Sequence, residues 1–527
     1  MDKELNQACS SSSKRKAKAA FEEEKDDSEA FPCSDDEEEG ECKVVERTKF
    51  STILGYQVKS PTIKEIKSIK AVLNNKLSSK GFLEEFSKEW SSNKPLISET
   101  HEIIIDPFKV CVLNNLFEDD SILKAIRQEF YEIDWNRRKM DLYDFHQSCD
   151  LKHLEAKNIT NFFNFLKETM MPWVSRTMNF NLHSVSATCS YYSDTDYLLI
   201  HDDLRGDRVV AFVLYFSDVQ DWDQSWGGSL QLLSCTDLHQ PHKTIREIYP
   251  VNNQLVLFPV SSTSYHQVDE VTQKNFSRYS INGWFHGDVN NKFVAPIYKE
   301  PIEGLFSTSY DVSKKIPVEL SEWIWEDYLD QHHIKSIQNL IEENSEISLP
   351  NYFVPTKYLE LCNEFENESL KWDMVGPPNR FQYEVLPETE FTKPIKELVD
   401  IFKSESMFKL LKCYTELDLD DEKAGIKYEV QRWKSGHYSL LSDFKWNTKE
   451  LDVIIYFNCN NQIIGGQTQY VTEDEEIQQA LITLTPENNS LNIVFRDTAR
   501  ITTYISKYTK EPFYALFCSY VEDQNKI

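Results

Sequence analysis

The chain of 527 residues carries 86 acids against 57 bases, a formal charge of −29, with 40% hydrophobic residues. That length exceeds what one compact core holds, so two or three domains are expected. An acidic body repels phosphate backbones, which argues against a nucleic-acid substrate, and the longest apolar run, Val209–Phe216, is far short of the ~20 residues a membrane span needs.

Met1–Ala20 is polar and lysine-rich with no apolar stretch of a secretory signal, so a soluble intracellular chain is expected. Eleven scattered cysteines without a CxxC pair read as mostly structural, reduced thiols. The cluster Lys14-Arg15-Lys16-Ala17-Lys18 reads either as a nuclear-import signal or as a solvated basic patch, and the expected location is nucleus and cytoplasm. Between Phe21 and Cys42 twelve acids face one lysine, a composition that cannot bury enough surface to fold.

From Thr48 to Arg176 the pattern is mainly helical. Ile63, Ile66, Ile69 and Val72 recur at helical spacing, as do Phe162, Phe163 and Leu166 before Met170. Between Val185 and His286 short β-branched and aromatic runs replace it: Tyr197–Ile200, Val209–Phe216, Leu230–Leu233, Leu255–Val260, Tyr265–Val268 and Tyr279–Phe285. Strands of this kind with turn signals between them read as a sandwich or jelly roll. Pro296–Pro317, with three prolines and Gly304, reads as a linker. Helical pattern resumes in Trp323–Leu340 and Pro394–Leu411, and strands return from Tyr428 to Tyr520.

The order of helices followed by strands thus occurs twice, and letters repeat with it. Tyr197–Asp203 aligns with Tyr438–Phe444 and Phe212–Tyr215 with Val453–Tyr456, both at an offset of 241. Gly227–Gln231 aligns with Gly465–Gln469 at 238, and Pro250–Leu255 with Pro486–Leu491 at 236. A slow drift in one direction is what small loop deletions produce. The reading is a tandem pair of one β-rich fold.

Two histidines and a carboxylate on one face of Fe(II) leave three positions open for an oxidant and a co-substrate. In extended chain, residues i and i+2 point the same way, so His-x-Asp presents two ligands together. Three His-x-acid pairs occur. His153-Leu154-Glu155 lies in a segment, Leu151–Lys157, that reads as helix, and His286-Gly287-Asp288 ends a strand; neither has a later histidine and arginine suitably placed. His201 and Asp203 do, with His266 in a later strand signal and Arg278 twelve residues beyond it. Arginine pairs with a carboxylate through two charge-assisted bonds, and Ser280 shares the face of Arg278. Together with Tyr215 from a neighbouring strand they form a suitable clamp for the far carboxylate of 2-oxoglutarate. The second repeat offers no such set: His201 maps onto Ser442, Asp203 onto Phe444 and His266 near Thr502, and no arginine stands for Arg278. Asp221–Trp226 is a candidate substrate lip, against ordinary loop packing.

At this point the chain resembles the iron- and 2-oxoglutarate-dependent prolyl 3-hydroxylases that act on a small-subunit ribosomal protein. The resemblance rests on Leu199–Asp203, Ala211–Tyr215, Gly227-Gly228, Ser264–Val268 and Ser277–Gly287, and in the second half on Arg432–Tyr438 and Pro486–Arg496. It implies an α+β fold of tandem double-stranded β-helix (jelly-roll) domains, each preceded and flanked by helices, only the first catalytic. The corresponding division is an acidic tail with the basic cluster at 1–47, a catalytic dioxygenase domain at 48–295, a linker at 296–316 and a degenerate, non-catalytic domain at 317–527. It further implies Fe(II) on His201, Asp203 and His266, with 2-oxoglutarate on Tyr215 and Arg278. O2 is the oxidant, and L-ascorbate is the supporting reductant. The implied partner is a 40S ribosomal protein whose hydroxylated proline influences translation fidelity and termination, with no nucleic-acid or membrane partner. The alternatives are an oxygenase acting on another protein or a nucleic acid, and a non-enzymatic jelly-roll scaffold. A nucleic-acid demethylase would show a second arginine at position 284, which is Trp, and a JmjC-type demethylase would hold the co-substrate with lysine.

Overall fold

The computed structural model describes residues 47–49, 66–217, 222–288, 310–316, 318–420, 422–441, 450–472 and 479–524. The basic cluster, the acidic segment, most of the stretch read as linker, and Ser442 and Phe444 lie outside the described residues.

Why the strands form is plainest in Arg208–Tyr215. Val210, Phe212 and Leu214 face a core shared with the helices, while Ala211, Val213 and Tyr215 face the interior of the curled sheet. Both faces are buried, so the apolar run is continuous rather than alternating. The strand Glu450–Phe457 repeats this: Leu451, Val453, Ile455 and Phe457 pack on helices, and Ile454 and Tyr456 point inward.

Two antiparallel sheets of 14 and 12 strands result. The first runs Pro241–Ile248, Leu230–Cys235, His266–Val268 and Tyr197–His201, passes through Tyr143–Asp150, and continues as Leu182–Tyr192, Arg278–Gly287, Arg208–Tyr215 and Gln254–Pro259. Two groups of four strands joined at a bridging strand make the curled jelly roll. The second sheet has the same order: Ala480–Leu484, Thr468–Val471, Ala499–Thr502 and Tyr438–Ser439, then Phe381–Val385, then Gly425–Trp433, Phe513–Val521, Glu450–Phe457 and Ser490–Arg496. The duplication read from the letters is therefore a duplication of topology.

It extends to a buried device that holds the helical part on the sheet. The Asn253 side chain accepts from the Phe117 amide at 2.9 Å and donates to the Phe117 carbonyl at 2.8 Å. Asn489 does the same with Phe353, at 2.9 Å in both directions. Helices Ser121–Glu129, Lys157–Phe165 and Met171–Met178 back the first sheet; Gln331–Asn344, Pro355–Phe365, Lys393–Phe402 and Glu405–Thr415 back the second.

Several expectations need revision. Strands Leu96–Ile97, His101–Ile104, Val110–Leu113, Asp134–Lys139 and Tyr143–Asp150 interrupt the region expected to be mainly helical, and all five extend or bridge the first sheet. The described part of the Ile63–Val72 periodicity, residues 66–72, forms no helix. Side chains hold it open instead: Asn158 accepts from the Ile69 amide at 2.7 Å and donates to the Lys67 carbonyl at 3.1 Å. The segment around His153 is a short 3-10 turn, Leu151–His153, and the helix starts only at Lys157. Inside the expected linker, Asp311–Val312 pairs with Gly425–Ile426 of the second sheet. Seven described cysteines are free, whereas Cys413 is disulfide-bonded.

Candidate metal and co-substrate site

His201 ends its strand and pairs in register with His266 on the neighbouring one, which sets their rings 4.3 Å apart, centroid to centroid. Asp203 lies beyond the strand end. Its φ of +65° turns the chain back, a conformation that Asp tolerates better than most residues. The carboxylate then sits 3.5 Å from His201 Nε2 and 3.4 Å from His266 Nε2. One potential ligand atom from each residue lies within 4.8 Å of the others, and this is the only such cluster of histidine, cysteine and acidic side chains among the described residues.

Both imidazoles are oriented from behind. His201 Nδ1 is 2.8 Å from the Leu199 carbonyl and His266 Nδ1 is 2.8 Å from the Ser264 carbonyl. A carbonyl only accepts, so each Nδ1 carries the proton and each Nε2 lone pair faces the centre. Burial, with His266 adding to it, pushes the His201 imidazole down to about 4, keeping it neutral. For His266, burial disfavours the charged form, but the Asp203 carboxylate outweighs it and raises the imidazole. Burial likewise opposes ionisation of Asp203, yet the neighbouring imidazoles, His266 first and His201 behind it, hold it well below the usual carboxylate range.

The same cavity, about 350 Å3, holds Arg278 and Ser280. Arg278 opens the strand Arg278–Gly287 and is 2% exposed. Its Nη1 donates to Ser280 Oγ at 3.2 Å and its Nη2 to Tyr215 Oη at 3.4 Å, while the Tyr192 and Tyr215 rings lie 4.8 and 5.0 Å from the guanidinium. No carboxylate forms an ion pair with it among the described residues, and its Nε has no hydrogen-bond partner. Arginine is almost never buried without an anion, so the charge is satisfied by something the cavity admits. The residues fit a dicarboxylate whose near end reaches the His201–Asp203–His266 centre and whose far end meets Arg278.

Tyr192, Arg208 and Trp284 also line this cavity and were not singled out from the sequence. Arg208 lies 3.5 Å over the Trp284 ring and 4.0 Å from Asp203, which holds it at the entrance side of the centre. The signal for Trp284 was its inward phase with Ser280, whereas Arg208 is out of phase with Tyr215 and follows an irregularity in the pairing at Phe285–His286 that no periodicity records. The other His-x-acid pairs have different employment: His286 is engaged with Asp207 at 2.6 Å and Ser186 at 2.7 Å. In the candidate lip Asp221–Trp226, Asp221 lies outside the described residues, Asp223–Ser225 are exposed and the two tryptophans are packed. Trp222 is buried and donates to the Gly227 carbonyl at 2.8 Å, and Trp226 stacks on Phe276 at 4.7 Å.

The second jelly roll shows what loss of the site looks like. His266 pairs with His201 and Leu232; Thr502 pairs with Ser439 and Thr468. Val268 pairs in the same way with Leu198 and Leu230, so the ladder equates Thr502 with Val268 and, two residues earlier, Arg500 with His266, in keeping with the letter alignment of Tyr197–Asp203 with Tyr438–Phe444. Arg278 pairs with Tyr192 and Phe513 pairs with Trp433, so an aromatic ring replaces the clamp. Its interior is filled by a buried carboxylate, Asp452, bonded to Arg500 at 2.6 Å, Tyr470 at 2.9 Å and Ser519 at 2.6 Å. Among the described residues that interior holds no cluster like His201, Asp203 and His266, and its Arg500 is paired with Asp452.

A jelly roll with this triad and this arginine defines a 2-oxoglutarate oxygenase, and the model of the 2OG-Fe(II) oxygenase superfamily matches residues 187–286. The model for the oxoglutarate and iron-dependent oxygenase degradation C-terminal domain matches residues 317–526. The chain is 36% identical over 456 residues to prolyl 3-hydroxylase sudestada1 of Drosophila melanogaster, covering 80% of this chain and 84% of that one. It is 30% identical over 525 residues to prolyl 3-hydroxylase OGFOD1 of Mus musculus, covering 86% and 94%. The chain belongs to this prolyl 3-hydroxylase family. Among solved structures it is similar to a Pseudomonas putida prolyl-4-hydroxylase, 18% identical with a TM-score of 0.28, over 34% of this chain and 92% of that one.

Proposed function

We propose that the chain is an Fe(II)- and 2-oxoglutarate-dependent prolyl 3-hydroxylase acting on a proline of a small-subunit ribosomal protein, and that it thereby influences translation fidelity and termination. The observation that carries the oxygenase reading is the buried Arg278 guanidinium, without an acidic partner, in the same cavity as His201, Asp203 and His266. The prolyl substrate is supported by the family.

In this reading His201, Asp203 and His266 hold Fe(II), which with 2-oxoglutarate and O2 supplies the oxidation. The protein supplies the rest. The Leu199 and Ser264 carbonyls fix the two imidazoles with Nε2 inward. Arg278, with the Tyr215 and Ser280 hydroxyls, binds the far carboxylate of the co-substrate and sets its distance from the centre. Apolar walls from Leu230, Phe258 and Val268 exclude bulk water. L-ascorbate is the expected supporting reductant, and nucleus and cytoplasm are the expected locations. The acidic body suits a basic protein such as a ribosomal one. The test is mass spectrometry of small-subunit ribosomal proteins from cells lacking the chain, which should show one proline that has lost the mass of a single added oxygen; an unchanged set of prolines overturns the ribosomal substrate and leaves the oxygenase.

A further inference from the structure

The hairpin formed by Asp134–Lys139 and Tyr143–Asp150 is a wall with a different space on each side. Arg138, Leu142 and Tyr143 line the catalytic cavity. Lys139, Met140, Asp141 and Asp144 line a second cavity, about 650 Å3, whose opposite side is the second jelly roll at Gln467, Gln469 and Thr503. The base of the hairpin is fixed within its own domain, where Arg137 pairs with Asp144 at 2.5 Å and Asp196 at 2.8 Å. At the tip its own domain supplies the turn bonds between Met140 and Tyr143, the pairing of Tyr143 with Leu198, and the Leu199 amide donating to the Leu142 carbonyl at 2.9 Å.

The second domain adds its own hold on the tip. The Leu441 amide donates to Asp141 Oδ2 at 2.6 Å, across 300 residues of sequence. Leu142 packs into an apolar nest of Leu199, Tyr438, Leu440 and Tyr504, and Tyr197 lies 4.3 Å from the Tyr504 ring. A second contact holds the two domains together nearby. Buried Glu270, four residues after His266, accepts from the Tyr504 hydroxyl at 3.2 Å, the Lys507 amide at 2.7 Å and the Ser506 hydroxyl, and Lys507 pairs with Asp269 at 2.5 Å. The second domain is therefore rigidly seated where it touches the tip.

We propose that the non-catalytic jelly roll sets the substrate entrance by clasping the tip of this hairpin, with Asp141 and Leu142 as positioning residues that fix Arg138 and Tyr143 at the cavity mouth. The inference rests on the functional reading above for its substrate, a proline-bearing polypeptide. A polypeptide crossing the mouth meets the hairpin, whereas 2-oxoglutarate is held deeper by Arg278, so the clasp acts on one substrate and not on the other.

The test uses the full chain and three variants: Asp141→Ala, Leu440→Ala, and Asp141→Asn, which keeps an oxygen to accept the Leu441 amide. Hydrogen exchange of residues 136–147 is measured on the protein without metal or substrate. Loss of one such bond should speed exchange at the tip about five- to tenfold in the alanine variants, with Asp141→Asn within about twofold of wild type. In turnover of extracted small-subunit ribosomal proteins, the half-saturating concentration of polypeptide should rise by a similar factor while the KM for 2-oxoglutarate and kcat stay unchanged. Equal exchange in wild type and Asp141→Ala overturns the clasp, as does a matching loss for both substrates. If the wild type hydroxylates none of these proteins, the functional reading falls, and the exchange measurement still decides the clasp. Should Leu440→Ala fail to fold, Asp141→Ala and its asparagine rescue carry the test.

Discussion

Replacing Arg278 separates two explanations of a buried arginine by the size of its effect on stability. If Arg278 were half of a structural ion pair, removing it would strand a buried carboxylate and cost ~3–5 kcal/mol. The structure gives it instead two hydroxyls, Ser280 and Tyr215, and two aromatic faces, with no acid in reach among the described residues. Arg278→Met keeps length and apolar contact while removing a charge whose burial is compensated only by these weaker contacts. In the ligand-free protein its stability should therefore change by less than about 1 kcal/mol, because lost cation–π attraction and relieved desolvation oppose each other. Co-substrate affinity should respond very differently. A bidentate charge-assisted contact is worth roughly 3 kcal/mol, so the Kd for 2-oxoglutarate should rise about a hundredfold, and ~tenfold for Arg278→Lys, which keeps charge but not the fork. Anaerobic calorimetric titration of the Mn(II)-loaded protein with 2-oxoglutarate measures the affinities, and thermal unfolding measures the stability. A large loss of stability with unchanged affinity would refute the clamp.

Further expectations follow from the same geometry. His201→Ala or Asp203→Ala should reduce succinate release below detection, and full turnover by either sinks the ligand assignment. Gly227→Ala places a Cβ 1.9 Å from the Glu270 carbonyl at a φ of +65°, so the melting temperature should drop by roughly 5 °C or more; an unshifted melt contradicts the close approach. Asn253→Ala and Asn489→Ala each remove two buried bonds to backbone and should cost about 2–3 kcal/mol apiece, detectable by urea unfolding; a cost of one and not the other would break the equivalence of the two domains. His437 accepts the Lys434 amide on Nδ1 at 3.1 Å and burial pushes it down to about 4, below its unfolded value near 6.5. Its contribution is thus complete above about pH 6.5 and lost as pH falls toward 4. His437→Asn, which can accept the same amide, should flatten stability between pH 6.5 and 5, and an unaltered acid slope would exclude His437 as its source.

How much of this could be read from the letters differs from residue to residue. The inward phase of Arg278 and Ser280 was legible because both lie in one regular strand, where a period of two fixes the face. The partnership of His201 and Asp203 was legible too, but for a different reason than strand periodicity. Asp203 has left the strand and returns its carboxylate through a left-handed turn, which no pattern of apolar residues records. The hairpin around Asp141 was invisible for the opposite reason: Asp134–Lys139 is polar apart from Trp135, so its pairing with the adjoining Tyr143–Asp150 leaves no alternation of apolar residues, and the periodicity around it favoured helix. Phenylalanine in the place of Arg278 and the Asp452–Arg500 network in the second barrel show that the duplicate kept the strand order while its interior became self-sufficient. Freed from holding a ligand, it could change on its outer face, and that face is where Tyr438, Leu440 and Tyr504 meet the catalytic domain. Retention of a whole degenerate barrel is then understandable through what it touches: the strands of His201 and His266, and the hairpin at the mouth.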